Sequence, residues 1–158
     1  MFKTKHYLCP ALAAGLLMMA SGGAVASDAE DVIATAYAQW AAENQNKPSA
    51  EAWTTIADDY TEFNPVVPAL VKGKAQAAKF YEASRSSGDV GLVSEMINPH
   101  VQVYGDVAIL SYNYAGITKN AEGKQQPNLA KSTRIYHKRD GKWMLVHANF
   151  AAVVVPQN

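Results

Sequence analysis

The amino-acid sequence predicts an α+β domain in which helices come first and long antiparallel strands follow. Apolar residues recur at helical spacing early in the chain, whereas the later part alternates with the period of two that is typical of strands. Asp140-Gly141 separates two long alternating segments, and this pair is typical of a two-residue hairpin because a type I′ turn needs positive φ at both central positions. These observations predict N-terminal helices packed on a strongly curved antiparallel sheet.

Three helices are predicted before the long strands. The first begins at Ser27 or Asp28, either of which can cap it, and ends near residues 44–47. A second helix continues through Ala57, and the third spans 74–84. The predicted strands lie at 58–63, 69–72, 91–97, 100–104, 107–118, 129–138 and 143–154.

The first residues have the pattern of an export signal. Two lysines precede an apolar run over residues 8–20, and small residues at 24–26 match a cleavage site. The apolar run is too short to span a membrane. The sequence therefore predicts a cleaved signal peptide at 1–26, a periplasmic or secreted location, and a single domain over 27–158 without membrane attachment.

Charge and motif content argue against several function classes. The chain has 14 basic and 14 acidic residues and no wide basic stripe, so nucleic acid is not an expected partner. Cys9, the one cysteine, lies within the predicted signal, which leaves the domain without a disulfide or a thiol nucleophile. His137 and His147, on adjacent predicted strands, supply two metal ligands without a third. The sequence therefore predicts no metal and no other cofactor.

Three sequence blocks carry a family resemblance that extends over nearly the whole predicted domain. They are Tyr-Thr-Glu-Phe-Asn-Pro at 60–65 with Val-Lys-Gly at 71–73, Ile-Asn-Pro-His-Val-Gln-Val-Tyr-Gly-Asp at 97–106, and Thr-Arg-Ile-Tyr-His-Lys-Arg-Asp-Gly-Lys-Trp at 133–143 with Leu-Val-His at 145–147. In content, order and spacing they resemble the association (hub) domain of calcium/calmodulin-dependent protein kinase II, a member of the NTF2-like superfamily. The last block is also similar to SnoaL-like and ketosteroid-isomerase-like proteins.

The resemblance implies a cone-shaped fold, assembly of dimers into rings, and a pocket whose arginines hold a small carboxylate. It does not imply a kinase, because the sequence contains no glycine-rich loop and neither the His-Arg-Asp nor the Asp-Phe-Gly motif. What it implies is an exported, stand-alone domain that binds copies of itself.

The predicted pocket is less cationic than that of the family. Arg134 lies in the matching Thr-Arg strand and can pair bidentately with a carboxylate. Asn113 and Phe150 stand where the family has further arginines, and Tyr60 and Tyr112 complete the predicted pocket. We therefore expect a small, partly apolar or acidic ligand.

Two acidic residues leave alternatives open. Asp59 or Glu62 can form a structural ion pair with Arg134. Either can instead act as the base of a small isomerase, cyclase or hydrolase, with Tyr60 as a hydrogen-bond donor. Because no catalytic motif joins these residues, the sequence favours a non-catalytic, self-associating domain, and the enzyme is the alternative.

Overall fold

The computed structural model describes residues 27–153, within which three helices and six strands form. The helices are α1 (Asp28–Asn44), α2 (Ser49–Ala52) and α3 (Lys74–Ser86). The strands are β1 (Ile56–Phe63), β2 (Val71–Lys72), β3 (Val90–Tyr104), β4 (Val107–Lys119), β5 (Gln125–Arg139) and β6 (Lys142–Ala152). The predicted signal peptide at 1–26 and the last five residues lie outside the described residues.

The six strands form one mixed sheet in the order β2-β1-β6-β5-β4-β3. Neighbouring strands are antiparallel except β1 and β6, which run parallel. The predicted α+β class is confirmed, and the sheet departs from the predicted antiparallel arrangement at this junction. Helix α3 carries the chain from one edge of the sheet to the other, and three hairpins then return it to β1. The direction in which β6 reaches β1 depends on that crossing, which no local pattern encodes.

Helix α1 begins with a capping box. The Ser27 hydroxyl accepts a hydrogen bond from the Glu30 N–H, and the Glu30 carboxylate accepts one from the Ser27 N–H at 2.8 Å. Val32, Ala36 and Trp40, spaced four residues apart, form the buried stripe of this helix. The stripe packs on β3, β4 and β6 and so covers the inner face of the sheet.

The second helix is shorter than the sequence predicts. We expected helix through Ala57, but α2 ends at Ala52 and Ile56 already belongs to β1. Ile56 pairs with Leu145 of β6, and the Leu145 N–H donates to the Thr55 carbonyl at 2.8 Å. Long-range pairing therefore determines the structure here, and the β-branched isoleucine suits it.

The predicted strands and the predicted turn form, but three bounds change: β2 is limited to Val71–Lys72, β5 begins at Gln125 rather than at 129, and two predicted segments merge. Segments 91–97 and 100–104 join into the single strand β3, with a register shift between Ile97 and His100. Such a bulge inserts extra residues without ending the strand. At the hairpin between β5 and β6, Asp140 and Gly141 have φ of 50° and 75°, which confirms the predicted positive φ at both central positions.

The apolar core occupies the part of the inner face nearest this hairpin. Its largest fully buried side chains are Val32, Leu110, Tyr136 and Leu145. Farther along the same strands the inward-facing residues become polar or aromatic, and a cavity takes the place of the core. None of the helices within residues 27–153 is long and apolar enough to cross a membrane.

Candidate functional site

A cavity of about 320 Å³ lies between the C-terminal half of α1 and the inner face of the sheet. Its lining combines six aromatic residues with eight that carry charged, amide or serine side chains. The lining residues are Gln39, Trp40, Glu43, Asn44, Trp53, Ile56, Tyr60, Glu62, Asn64, Pro65, Ser94, Tyr112, Tyr114, Asn128, Ala130, Arg134, Phe150 and Ala152. A concave site that combines apolar walls with polar groups is typical of small-molecule binding.

Arg134 is the positively charged residue of the lining. Its side chain reaches inward from β5 and the residue is only 3% exposed. Its Nε donates to the Tyr112 hydroxyl at 2.9 Å, and its Nη1 donates to the Gln39 Oε1 at 3.1 Å. The guanidinium carbon lies 5.3 Å from the Trp40 ring centroid and 5.6 Å from that of Phe150. These contacts fix the orientation of the charge.

The hydrogen-bond partners of this guanidinium are all neutral. Within residues 27–153, no carboxylate oxygen lies within 4.0 Å of its nitrogens, and two of its five N–H groups donate a hydrogen bond. Burial disfavours the charged form of Arg134, but Tyr136, Tyr112 and Glu43 outweigh that effect and hold its pKa above the ordinary value. The side chain is therefore a permanent cation with donors to spare.

Asp59 does not pair with Arg134. Its carboxylate instead makes a bidentate ion pair with Arg139, at 2.8 and 3.1 Å, and the hydrogen bond from Arg139 lowers the pKa of Asp59. A register shift in β1 between Ile56 and Thr61 leaves Asp59 exposed near the hairpin, away from the cavity lining. The expectation of an Asp59–Arg134 pair was wrong for that reason.

Glu62 lies in the cavity wall and is 6% exposed. Its Oε2 accepts from the Tyr60 hydroxyl at 2.8 Å, and its Oε1 accepts from the Asn64 amide at 3.2 Å. Burial, followed by the charge and hydrogen bond of Glu62, raises the pKa of Tyr60 above its ordinary value. Among the described residues Glu62 also forms no ion pair with Arg134. Its two oxygens accept from the neutral Tyr60 and Asn64 side chains instead.

A third charged group, Glu43, closes the α1 side of the cavity. Its Oε1 accepts from the Gln39 amide at 2.8 Å and from the Trp53 indole N–H at 2.7 Å. Gln39 therefore links Glu43 to Arg134 through two successive hydrogen bonds. We did not predict Gln39 or Glu43 for the site, although their spacing of four residues beside Trp40 places them on one helix face.

The structure brings together most of the predicted pocket residues. Arg134, Tyr60, Tyr112 and Phe150 all line the cavity. Asn113 was predicted to line the pocket, and this was wrong. It is exposed on the opposite face of the sheet, in a groove with residues such as Asn98, His100 and Lys131. Side chains alternate along a strand, so an inward Tyr112 requires an outward neighbour.

Across residues 27–153, no three His, Cys, Asp or Glu side chains are close enough together to hold a metal ion. The polar groups that line the cavity are the charged side chains of Arg134, Glu43 and Glu62, the tyrosine hydroxyls, and the amide and serine side chains listed above.

Comparison with known proteins identifies the family. The sequence profile of the calcium/calmodulin dependent protein kinase II association domain matches residues 29–153. The chain belongs to this family. The resemblance carried by the three sequence blocks is thereby confirmed.

Individual relatives agree with this membership. The chain is 34% identical over 107 residues to the calcium/calmodulin-dependent protein kinase type II delta subunit of Oryctolagus cuniculus, an alignment that covers 65% of this chain and 20% of that protein. The chain thus matches about a fifth of that relative's length. Its structure resembles the kinase II hub homology domain of Chlamydomonas reinhardtii, with 25% identity, a TM-score of 0.68, and coverage of 81% and 100% of the two chains.

A more distant structure shows the fold alone. An NTF2-like protein from Pseudomonas putida KT2440 is 18% identical, with a TM-score of 0.66 and coverage of 78% of this chain and 85% of that one. The predicted NTF2-like fold is confirmed by this similarity.

Proposed function

We propose that this protein is a self-associating association domain whose cavity binds a small, largely apolar carboxylate through Arg134, without catalysis. The observation that carries the binding proposal is the buried guanidinium, whose partners within the described chain are neutral. A buried charge is costly unless it is paired. An incoming carboxylate supplies that pair and accepts the remaining N–H donors.

The cavity walls suit the rest of such a ligand. Trp40 and Phe150 flank the guanidinium, and Trp53, Tyr114 and Ile56 extend the apolar lining. Burial of a ligand's hydrocarbon part stabilises the complex by about 25 cal/mol per Å² of apolar surface. A volume of about 320 Å³ is at the small end of ligand sites, which limits the ligand to a compact molecule.

The outer face of the sheet supports self-association. Ile97 is 46% exposed and Tyr104 is 60% exposed on β3, and the half-buried Ile109 and Ile135 lie directly opposite each other on β4 and β5. Apolar side chains grouped on one open face are typical of a protein contact. The relatives are named as association and hub domains, which supports a contact with further copies of this chain.

Light scattering coupled to size-exclusion chromatography tests the self-association. We expect a dimer or a larger oligomer at micromolar concentration, and we expect Ile97→Lys to shift the population toward smaller species. Val66→Lys is the matched control, because Val66 is 81% exposed on the segment between β1 and β2. A wild-type protein that is monomeric throughout contradicts the proposal.

Thermal-shift titration with hexanoate and benzoate tests the ligand site. Arg134→Met keeps a long side chain and removes the charge, and we expect it to weaken binding by about 10- to 100-fold, the loss of one or two charged hydrogen bonds. Arg139→Met removes a half-exposed arginine of the same strand that lies outside the cavity and should leave binding unchanged. Equal responses of wild type and Arg134→Met exclude Arg134 as the ligand contact.

We further propose that the protein is exported after cleavage of residues 1–26. The support is the sequence of that segment: two lysines, an apolar run and small residues at 24–26. Mass spectrometry of the protein secreted or released from the periplasm should find Ser27 as the first residue. An intact Met1 terminus in the cytoplasmic fraction contradicts this.

One observation favours a second candidate function, proton transfer. Glu62 is a buried cavity carboxylate beside the Tyr60 hydroxyl, and an enzyme would use it as the base with a tyrosine as oxyanion donor. Both oxygens of Glu62 already accept hydrogen bonds, from the Tyr60 hydroxyl and the Asn64 amide, which is why binding is the first proposal. Deuterium incorporation into a small enolisable ketone that is lost in Glu62→Gln would establish catalysis instead.

A further inference from the structure

The cavity contains two buried, opposite charges that do not pair with each other. Arg134 and Glu62 are 3% and 6% exposed, and each is hydrogen-bonded to neutral groups. We propose that the ligand of this cavity is a small zwitterion that places its carboxylate at Arg134 and an ammonium group at Glu62. This inference rests on the carboxylate site proposed above and assigns the second charged group of the same ligand.

The sheet register places the two residues at the same level. Ala148 of β6 pairs with Glu62 of β1 on one side and with Arg134 of β5 on the other. The two backbones are therefore about 10 Å apart, twice the spacing of neighbouring strands. Glutamate and arginine side chains are long enough to meet across that distance.

Their hydrogen bonds hold the two side chains apart. Arg134 is directed toward Tyr112 and Gln39, while Glu62 is directed toward Tyr60 and Asn64. No oppositely charged side-chain atom lies within 4.0 Å of either group across residues 27–153. Each charge thus faces the cavity with unused hydrogen-bonding capacity, since a carboxylate has about four acceptor sites and a guanidinium five donors.

The charge balance of the lining favours a zwitterion over a simple anion. Glu62 and Glu43 carry negative charges and Arg134 carries a positive one, so the lining is net negative. A ligand with only a carboxylate increases that excess, and like charges in a partly buried site repel. An ammonium group at Glu62 removes the penalty and supplies the counter-ion that this carboxylate lacks among the described residues.

Isothermal titration calorimetry with two isosteric probes tests the inference. 5-Aminopentanoate and hexanoate share a carboxylate and a chain length and differ by an ammonium in place of a methyl group. We expect wild type to bind 5-aminopentanoate at least about 10-fold more tightly, the effect of one charged hydrogen bond. Glu62→Gln should remove this preference while retaining hexanoate, and the exposed Glu95→Gln is the matched control.

The outcomes separate this inference from the proposed function. If hexanoate binding needs Arg134 but its affinity equals or exceeds that of 5-aminopentanoate, the zwitterion is wrong and the carboxylate site still holds. If wild type binds neither probe, or if binding does not depend on Arg134, both the zwitterion and the carboxylate site are wrong. The wild-type comparison decides the point even if Glu62→Gln does not fold. Aminoalkanoates of three to six carbons then report the charge separation that the cavity accepts.

Discussion

Strand β5 carries two arginines, Arg134 and Arg139, that differ in burial and in the charge of their partners. Arg139 lies beside the hairpin, where its half-exposed side chain makes a bidentate ion pair with Asp59. Arg134, five residues earlier in the strand, is buried against Trp40 and Phe150 and donates to neutral oxygens.

The difference separates an arginine that serves the fold from one that is available to a ligand. The exposed ion pair has its partner already and is screened by water and salt, so it contributes little. The buried guanidinium is desolvated, oriented and, among residues 27–153, without a carboxylate partner. Those conditions make a ligand's negative charge most effective in binding.

The largest expected effect concerns the aromatic wall beside Arg134. Trp40→Ala should lower the free energy of unfolding by about 3–5 kcal/mol, because it empties a buried volume. In an Arg134→Met background the cost should be smaller by about 0.5–2 kcal/mol, the contribution of the ring to the buried cation. Urea unfolding of the four proteins in this cycle measures the coupling. Strictly additive losses contradict a role for the ring in holding the charge.

The next largest effect is a loss of folding stability at alkaline pH. Burial raises the pKa of both Tyr60 and Tyr136 above the ordinary value near 10. Stability from these phenols is complete below the unfolded pKa and is lost as the pH rises toward the folded one. Each tyrosine should contribute a slope of up to about 1.4 kcal/mol per pH unit above pH 10.

Urea unfolding between pH 9 and pH 11 measures this slope, and Tyr60→Phe should reduce it by one tyrosine's share. Tyr104→Phe is the control, since that residue is 60% exposed on the outer face. A wild-type stability that stays constant above pH 10 is the contrary result.

The smallest expected effect belongs to the ion pair at the hairpin. Asp59 has a pKa lowered by the hydrogen bond from Arg139, so its contribution is present above the unfolded pKa near 3.8. It is lost as the pH falls through the lower, folded value. Arg139→Met should change the unfolding midpoint less than Trp40→Ala or Tyr60→Phe, and the change should shrink at high salt. A large effect that is insensitive to salt contradicts the assigned difference between the two arginines.

Local patterns were sufficient to predict much of this fold. The hairpin at Asp140-Gly141 and the start of α1 at Ser27 follow from turn and capping chemistry, which neighbouring residues determine. The helix expected through Ala57 failed because Ile56 pairs with Leu145, nearly ninety residues away. Such a contact leaves no local signal.

The site was predicted less completely for a related reason. Arg134 could be selected from its strand motif, but the partners that define its environment come from other elements. Gln39 reaches it from α1. Asn113 was misplaced because the sequence alone does not show which of the two neighbours, Tyr112 or Asn113, faces inward. We expected Asp59 to pair with Arg134. It pairs with Arg139 instead, because of the register shift in β1.

A crystal structure of the protein with 5-bromopentanoate tests the central claim most directly, because bromine is located by its anomalous scattering. We predict the carboxylate within hydrogen-bonding distance of the Arg134 guanidinium, about 2.7–3.2 Å, and the bromine among the aromatic walls of the cavity. A cavity that stays free of ligand at saturating concentration, or a carboxylate bound elsewhere, contradicts the claim.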